Sequence, residues 1–358
     1  MELLSRLVFL GLSKDFEQPA HNLKNICPDV QYVAGFSEKE WTDFLTIADS
    51  NHVEVRALAV LEKAAAEFGE AKVLNRSETA LSKERGRIHH AVTVLKEVCE
   101  VLEAGGCPVV VIKSLDHWPD LGSDLDLYAS GEAARVLEIM RRELDAEPTE
   151  RSWGDRLANK WNFRVPGLSE LIEIHVQYLG QTGEHDALAR RVMARRAPRT
   201  LEGITFQATS PEELIMISTL QRMYRHFYFR LCDMLDVATL LQKKTLDFAE
   251  LKKAADTGRI WPGVATFFLL VSRYAQSYGR TVEIPQEVLS AAPVTDTWFE
   301  KGFLRVPMLS AARLYSLQFL NAAVHCDLRA VSRLPLILPL GISAWLAYRW
   351  TGSDKGVW

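Results

Sequence analysis

The chain lacks most of the features that would assign it to a class at a glance. Its five cysteines, Cys27, Cys99, Cys107, Cys232 and Cys326, are dispersed over 358 residues with no Cys-x-x-Cys pair. That excludes a disulfide framework or a zinc cluster built on close thiols, and predicts buried thiols in a reducing cytoplasm. Neither sign of charge dominates. A net charge of -4 argues against capture of nucleic acid by bulk electrostatics, so any cationic function has to be local. There is no internal repeat and no low-complexity tract. The opening Met1–Gln18 segment is interrupted by Glu2, Arg6 and Lys14 and has no small-residue cleavage site, so no signal peptide is expected. The longest uncharged apolar stretch, Leu334–Tyr348, has fifteen residues, short of the ~20 that span a bilayer, and Pro335, Pro339 and Gly341 weaken it as a helix. It is expected to pack on the body of the protein. A peripheral membrane contact through 334–348, flanked by Arg329, Arg333 and Arg349, is the alternative.

What is present is an ordinary globular composition, 48% hydrophobic and 25% charged, long enough for two or three domains. The informative stretch is Val109–Tyr128, VVVIKSLDHWPDLGSDLDLY. Val109 to Ile112 form a β-branched run that reads as a buried strand. It breaks at Lys113-Ser114, passes a loop with His117, Pro119 and Gly122, and resumes with Asp124-Leu125-Asp126-Leu127 in strict alternation. On a strand, residues two apart share a face, so Asp124 and Asp126 project together. Two adjacent carboxylates repel each other; a divalent cation with a taste for oxygen ligands, magnesium or manganese, is the usual reason to place them so.

Around this stretch the pattern is helical at both ends. Trp41, Phe44, Leu45 and Ala48 recur at helical spacing, and a helix is predicted from about Lys83 to Ala104, closed by Gly105-Gly106. Gly131–Leu144 reads as an amphipathic helix. Lys160–Val165 and Leu171–Val176 both alternate and flank Pro166-Gly167, which predicts a hairpin with Glu173 and His175 on one face. Ile204–Gln207 is a further strand candidate. Arg190–Arg199 holds five arginines in ten residues; such runs are most often solvated helix faces. Ser210-Pro211-Glu212-Glu213 starts a helix predicted to continue to about Gln242, with two more near Asp247–Ala255 and Pro262–Tyr278. On the first of these Arg222, His226 and Arg230 are four apart. They either face a bound anion or pair with Asp233 and Asp236. The expected division is 1–104 helical, 105–208 a sheet core, 209–328 helical, and 329–358 an apolar segment.

A strand ending in Ser114, an Asp-x-Asp on the next strand and a third acid, Glu173, on a later one together resemble the nucleotidyltransferase superfamily that includes DNA polymerase beta. More closely they resemble the family of uncharacterised nucleotidyltransferases, whose first strand ends in Lys-Gly, whose second carries Asp-x-Asp-Leu and whose third reads acid-x-His. The matching pieces are IKS at Ile112–Ser114, SDLDLY at Ser123–Tyr128 and IEIHV at Ile172–Val176, with flanking support from His226 and from LDVATLL at Leu235–Leu241. The likeness runs from about Trp41 to Tyr278. It departs at the turn, where Lys113-Ser114 replaces Gly-Ser or Lys-Gly, and at the third acid, where Glu replaces Asp.

The resemblance implies an α+β fold, a small mixed sheet core with helical N-terminal and C-terminal parts. It implies transfer of a nucleoside monophosphate from a triphosphate such as ATP to the hydroxyl of an acceptor (small molecule, protein or RNA). Asp124, Asp126 and Glu173 would be the catalytic acids and would hold two magnesium or manganese ions. Lys113, Ser114, Ser123, Arg222 and His226 would meet the phosphates. Two other classes remain open: a catalytically weak nucleotide- or partner-binding module, suggested by Lys113 in the turn, and a metal-dependent phosphohydrolase using His175. The arginine run is the only support for an RNA acceptor.

Overall fold

Helices come first. The structure, a computed structural model, describes residues 1–14, 16–293, 298–300, 303–351 and 357. The N-terminal part comprises α1 (Glu2–Leu10), α2 (Cys27–Ala34), α3 (Glu38–Ser50), α4 (Glu54–Phe68) and α5 (Ala71–Ala104). A capping box between Ser37 and Glu40 opens α3. The last of these helices begins at Ala71, well before the expected Lys83. Its first turns bury only Val73, Ser77 and Leu81, too sparse a stripe to announce a helix, whereas Ile88, Val92, Leu95, Val98 and Leu102 form the continuous buried face beyond.

The sheet follows, through β1 (Val109–Val111), β2 (Asp124–Ala129), α6 (Ala133–Leu144), β3 (Glu147–Pro148), α7 (Trp153–Ala158), β4 (Lys160–Arg164), β5 (Leu171–Val176), α8 (Asp186–Ala194), β6 (Ala197–Leu201) and β7 (Ile204–Ala208). Seven strands lie in the order β3-β4-β5-β2-β1-β7-β6. β2 pairs parallel with β5 and β1 parallel with β7, while the remaining neighbours are antiparallel. The fold is therefore α+β with a mixed sheet. The expected hairpin is β4–β5, with Gly167 at φ 80 in its turn, a conformation that costs glycine little. The arginine run straddles α8 and β6 rather than one helix face. Each of its arginines reaches a carboxylate: Arg190 to Asp186, Arg191 and Arg195 to Glu213, Arg196 to Glu103, Arg199 to Asp116.

The C-terminal part is helical again: α9 (Pro211–Thr219), a π-helical turn (Leu220–His226), β8 (Tyr228–Phe229), α10 (Leu231–Lys243), α11 (Phe248–Gly258), α12 (Trp261–Ser277), α13 (Gln286–Ser290), β9 (Trp298–Glu300), β10 (Phe303–Arg305), α14 (Met308–Val324), α15 (Leu328–Arg333) and α16 (Ile337–Thr351). The helix expected to run unbroken from Ser210 to Gln242 is interrupted. It widens into the π turn, stops at Phe227 with φ 57, and restarts at Leu231. β8 joins β10 and β9 in a small second sheet. The 334–348 segment forms a single 3-10 turn and most of α16; Leu334 is buried against Ala322 and Ala330, while Leu338 and Ile342 are exposed. No helix among the described residues is long and apolar enough to cross a membrane.

One buried charge cluster ties these layers together. Arg56 on α4 lies 2.9 Å from Asp236 on α10 and 3.4 Å from Asp120 in the loop between β1 and β2. It also donates to the carbonyls of His117 and Trp118. Asp120 accepts from the Val55 amide at 2.6 Å, and His117 Nδ1 meets Asp236 Oδ2 at 2.5 Å. Removing one partner from such a cluster strands buried charge. Arg56→Met is expected to cost about 3–5 kcal/mol in urea denaturation; a loss under about 1 kcal/mol would show that the loop is held by other contacts.

Next to this cluster, burial and the charges of Glu84, Asp49 and Asp120 push the Glu54 carboxyl up to about 8 from 4.5. The folded chain therefore keeps a proton that the unfolded chain releases, and stability falls as pH rises from about 4.5 to about 8. Glu54→Gln is expected to melt with the wild type at the acidic end and above it at the alkaline end. Equal melting temperatures throughout would refute the shift.

Candidate functional site

Main-chain pairing assembles the acids. In the parallel β2–β5 register Asp126 lies opposite Glu173, Asp124 opposite Leu171 and Tyr128 opposite His175. Leu125, Leu127, Ile172 and Ile174 bury the other face completely, which fixes the outward face. The turn before β2 is a second anchor. Lys113 takes a left-handed conformation, φ 64, at a cost of about 1 kcal/mol for a residue with a Cβ. Ser114 lines the pocket and its hydroxyl is engaged with β2: it donates to the Asp124 carbonyl at 3.3 Å and accepts from the Asp126 amide at 2.6 Å.

The acids are balanced by cations. Lys113 Nζ lies 2.5 Å from Asp126 and 3.8 Å from Glu173. Lys160 Nζ bridges Glu173 at 2.9 Å and Asp155 at 2.8 Å. His175 Nε2 is 3.0 Å from Glu173 and 3.8 Å from Asp126. Against the opposing effect of burial, Lys160, His175 and Lys113 hold the Glu173 carboxyl well below the usual range. Asp124 goes the other way. Desolvation, together with the charges of Asp126 and Glu173, pushes it up to about 6.

Opposite stands a cationic wall built by the π turn and the segment after it. Arg222, Arg225, His226, Tyr228 and Arg230 face Asp124, Asp126 and Glu173 across a cavity of about 180 Å³. Arg222 is fully buried and neutralised by Asp233 at 2.8 Å. Arg225 has no carboxylate partner among the described residues. Burial and the neighbouring Arg225, Arg222 and Arg230 keep His226 well below its ordinary pKa, hence neutral. Single π turns recur at functional sites because they shift the phase of the following side chains. All eight residues singled out from sequence, Lys113, Ser114, Ser123, Asp124, Asp126, Glu173, Arg222 and His226, line this one cavity.

Sequence reading missed Lys160, Arg225 and His52. Lys160 was accessible in principle: in the β4–β5 hairpin it pairs with His175, on the face that carries Glu173. Arg225 was not, since a four-residue spacing from Arg222 skips it. His52, also lining the cavity, is reached through a contact with Arg230.

Metal binding fits the residues present. Asp126, Glu173 and His175 bring ligand atoms within 4.8 Å of one another. His175 Nδ1 is buried with no hydrogen-bond partner, so the ring is not committed elsewhere. A second group, His117, Cys232 and Asp236, meets the same pocket through His117, with Cys232 Sγ 3.8 Å from His117 Nε2. Its carboxylate is already satisfied by Arg56 and His117, so this group acts as a brace.

Residues 37–280, more than half of the chain, match the family described as uncharacterised nucleotidyltransferase. No curated protein matches. A solved structure described as a tRNA-processing enzyme (apo form I) aligns at 11% identity over 75% of this chain and 68% of its own, with a TM-score of 0.29, a likeness too low to carry an argument.

The ammonium of Lys113 sits where a cation bound to Asp126 would have to approach. Lys113→Met is therefore expected to tighten Mn2+ binding by about tenfold in a calorimetric titration, by removing a competing charge. Unchanged or weaker Mn2+ binding would show that the lysine does not compete for the acids.

Proposed function

The chain belongs to the uncharacterised nucleotidyltransferase family, and from that premise we propose that it moves a nucleoside monophosphate from a nucleoside triphosphate to an acceptor hydroxyl. The observation that carries the reading is the two-walled pocket, with Asp124, Asp126 and Glu173 on one side and Arg225, Arg222 and Arg230 on the other. A triphosphate has the charge to be held by the second wall while its metal-neutralised phosphates meet the first.

The acceptor oxygen attacks the α-phosphorus and forms the new P–O bond. The bond to the bridging oxygen of the β-phosphate breaks, and pyrophosphate leaves with that electron pair. The hydroxyl proton passes to a carboxylate of the acid wall. Asp124, Asp126 and Glu173, with His175 beside them, would hold magnesium or manganese, which supplies charge neutralisation at the attacking and leaving oxygens. The DNA polymerase beta-like arrangement of two ions is part of this proposal. Arg225 and Arg230, whose guanidinium groups have no carboxylate partner among the described residues, orient the phosphates. Lys113, whose ammonium now pairs with Asp126, would be free to meet the phosphates if that carboxylate held a metal, and Ser114 ties the turn to β2. Ser123 and His226 complete the phosphate contacts.

One observation favours a second reading. Asp126 and Glu173 are already paired with Lys113 and Lys160, as a nucleotide-binding module without turnover would permit. The two separate by product. With magnesium, each nucleoside triphosphate and a panel of alcohols, transfer releases pyrophosphate only when an acceptor is present, and Asp126→Asn and Glu173→Gln lower it by about 10²-fold or more. Transfer retained in Asp126→Asn would refute the assignment. Triphosphate binding with no pyrophosphate would establish the module, and acceptor-independent phosphate would establish a hydrolase.

A further inference from the structure

Three cavities adjoin one another at the acid pocket. Lys113, Gln221 and Arg225 line both it and a neck of about 50 Å³. Gln181, Tyr224, Arg225 and Ile337 line both that neck and a third, much larger space of about 860 Å³ between α14 and α16. Arg225 therefore borders all three. The large cavity is lined almost wholly by carbon, including Ala311, Phe319, Leu320, Ile337, Leu338 and Ile342, and Arg225 is its one charged residue. At the neck Gln181 is 9% exposed and its amide oxygen has no protein partner. A buried acceptor left open at the junction of a polar site and an apolar cavity calls for a ligand donor.

The mouth is apolar as well. Leu320, Leu338 and Ile342 both line the cavity and are 58%, 62% and 60% exposed. Of the nine large hydrophobics exposed among the described residues, seven lie between Leu309 and Trp350. Over the same span Arg313 and Arg349 are exposed, while Arg329 and Arg333 are half-buried and donate to main-chain carbonyls, and the one acid is Asp327. Exposed apolar side chains with interspersed arginines suit the interface of an anionic bilayer.

We propose that the acceptor is a membrane lipid alcohol, its hydroxyl at the acid wall and its hydrocarbon chain in the α14–α16 cavity, taken up from a bilayer that the exposed face of these helices touches. The inference rests on the nucleotidyl-transfer reading and names its acceptor class. The polar link of the lipid passes Arg225 and Gln181 in the neck, where a second hydroxyl or an amide N–H of that link donates to the Gln181 amide oxygen. The far end of the chain points toward the mouth, so the lipid enters head first without leaving an apolar surface. The chemistry is the transfer already written, with the lipid oxygen as nucleophile and pyrophosphate as leaving group.

Gly341 gives a clean test. It lines the cavity, and a Cβ built there meets nothing within 4 Å, so the side chain of Gly341→Trp starts in open space and is chosen to occupy the cavity. The probe is a pyrene-labelled long-chain alcohol in phosphatidylcholine–phosphatidylglycerol vesicles, titrated with the full chain; magnesium-dependent ATP binding is read in the same samples. Wild type is expected to bind the vesicle-borne alcohol. Gly341→Trp should bind it about tenfold more weakly, since excluding two methylenes is enough for that, with ATP binding unchanged. Leu338→Glu, at the exposed mouth, should lose vesicle binding and keep ATP binding. Alcohol binding that is absent, or untouched by both variants, overturns the proposal. So does a dimer that buries this face and dissociates in Leu338→Glu. Failure of the acid pocket itself would show separately, as missing ATP binding in the wild type.

Discussion

The main-chain hydrogen bonds between β2 and β5 place Asp126 and Glu173 side by side, and the rest of the site answers to the repulsion this creates. Two carboxylates on neighbouring strands in a half-buried pocket are unstable without compensating charge. Lys160 from β4, Lys113 from the turn and His175 from β5 supply it. The left-handed backbone at Lys113 is part of the same balance, because it aims the ammonium back at β2. The acids of this site are therefore charge-balanced by the protein's own side chains.

The second wall depends on a different contact. Arg56 binds the loop between β1 and β2 to α4 and α10, and thereby holds the sheet against the helix that follows the π turn. Magnitudes separate this cluster from the many arginine pairs elsewhere. An exposed pair such as Arg190–Asp186 contributes ~0–1 kcal/mol, whereas breaking a buried one costs several times more. The pocket therefore has two rigid sides set by unlike physics, backbone pairing on one and buried charge on the other. Arg225 and Arg230 face the acids across the pocket with no carboxylate ion pair of their own among the described residues.

Several local features were legible from the chain alone. Alternation in Asp124–Leu127 and in Leu171–Val176 identifies strands and the side from which the acids project, since side-chain direction repeats every two residues whatever the strand pairs with. Apolar spacing of three and four marks the second half of α5, and Ser210-Pro211 marks the start of α9. The first half of α5 was illegible because few of its side chains are buried. The break after Thr219 was illegible because a π turn carries the same residue types as the helix it interrupts.

Sequence by itself determined the succession of helices and strands, the hairpin of β4 with β5, and the face from which the acids project, because these follow from periods of two and 3.6 and from turn chemistry. The grouping of Glu173 with Asp124 and Asp126, and of the residues around them, came from the family resemblance. Only tertiary structure decided that β2 runs parallel to β5, that Lys160 and Lys113 neutralise the acids, that Arg225 faces them, and that a carbon-lined cavity opens behind. Each of those is a pairing between residues far apart in the chain, and no local period encodes which distant partner a face will meet.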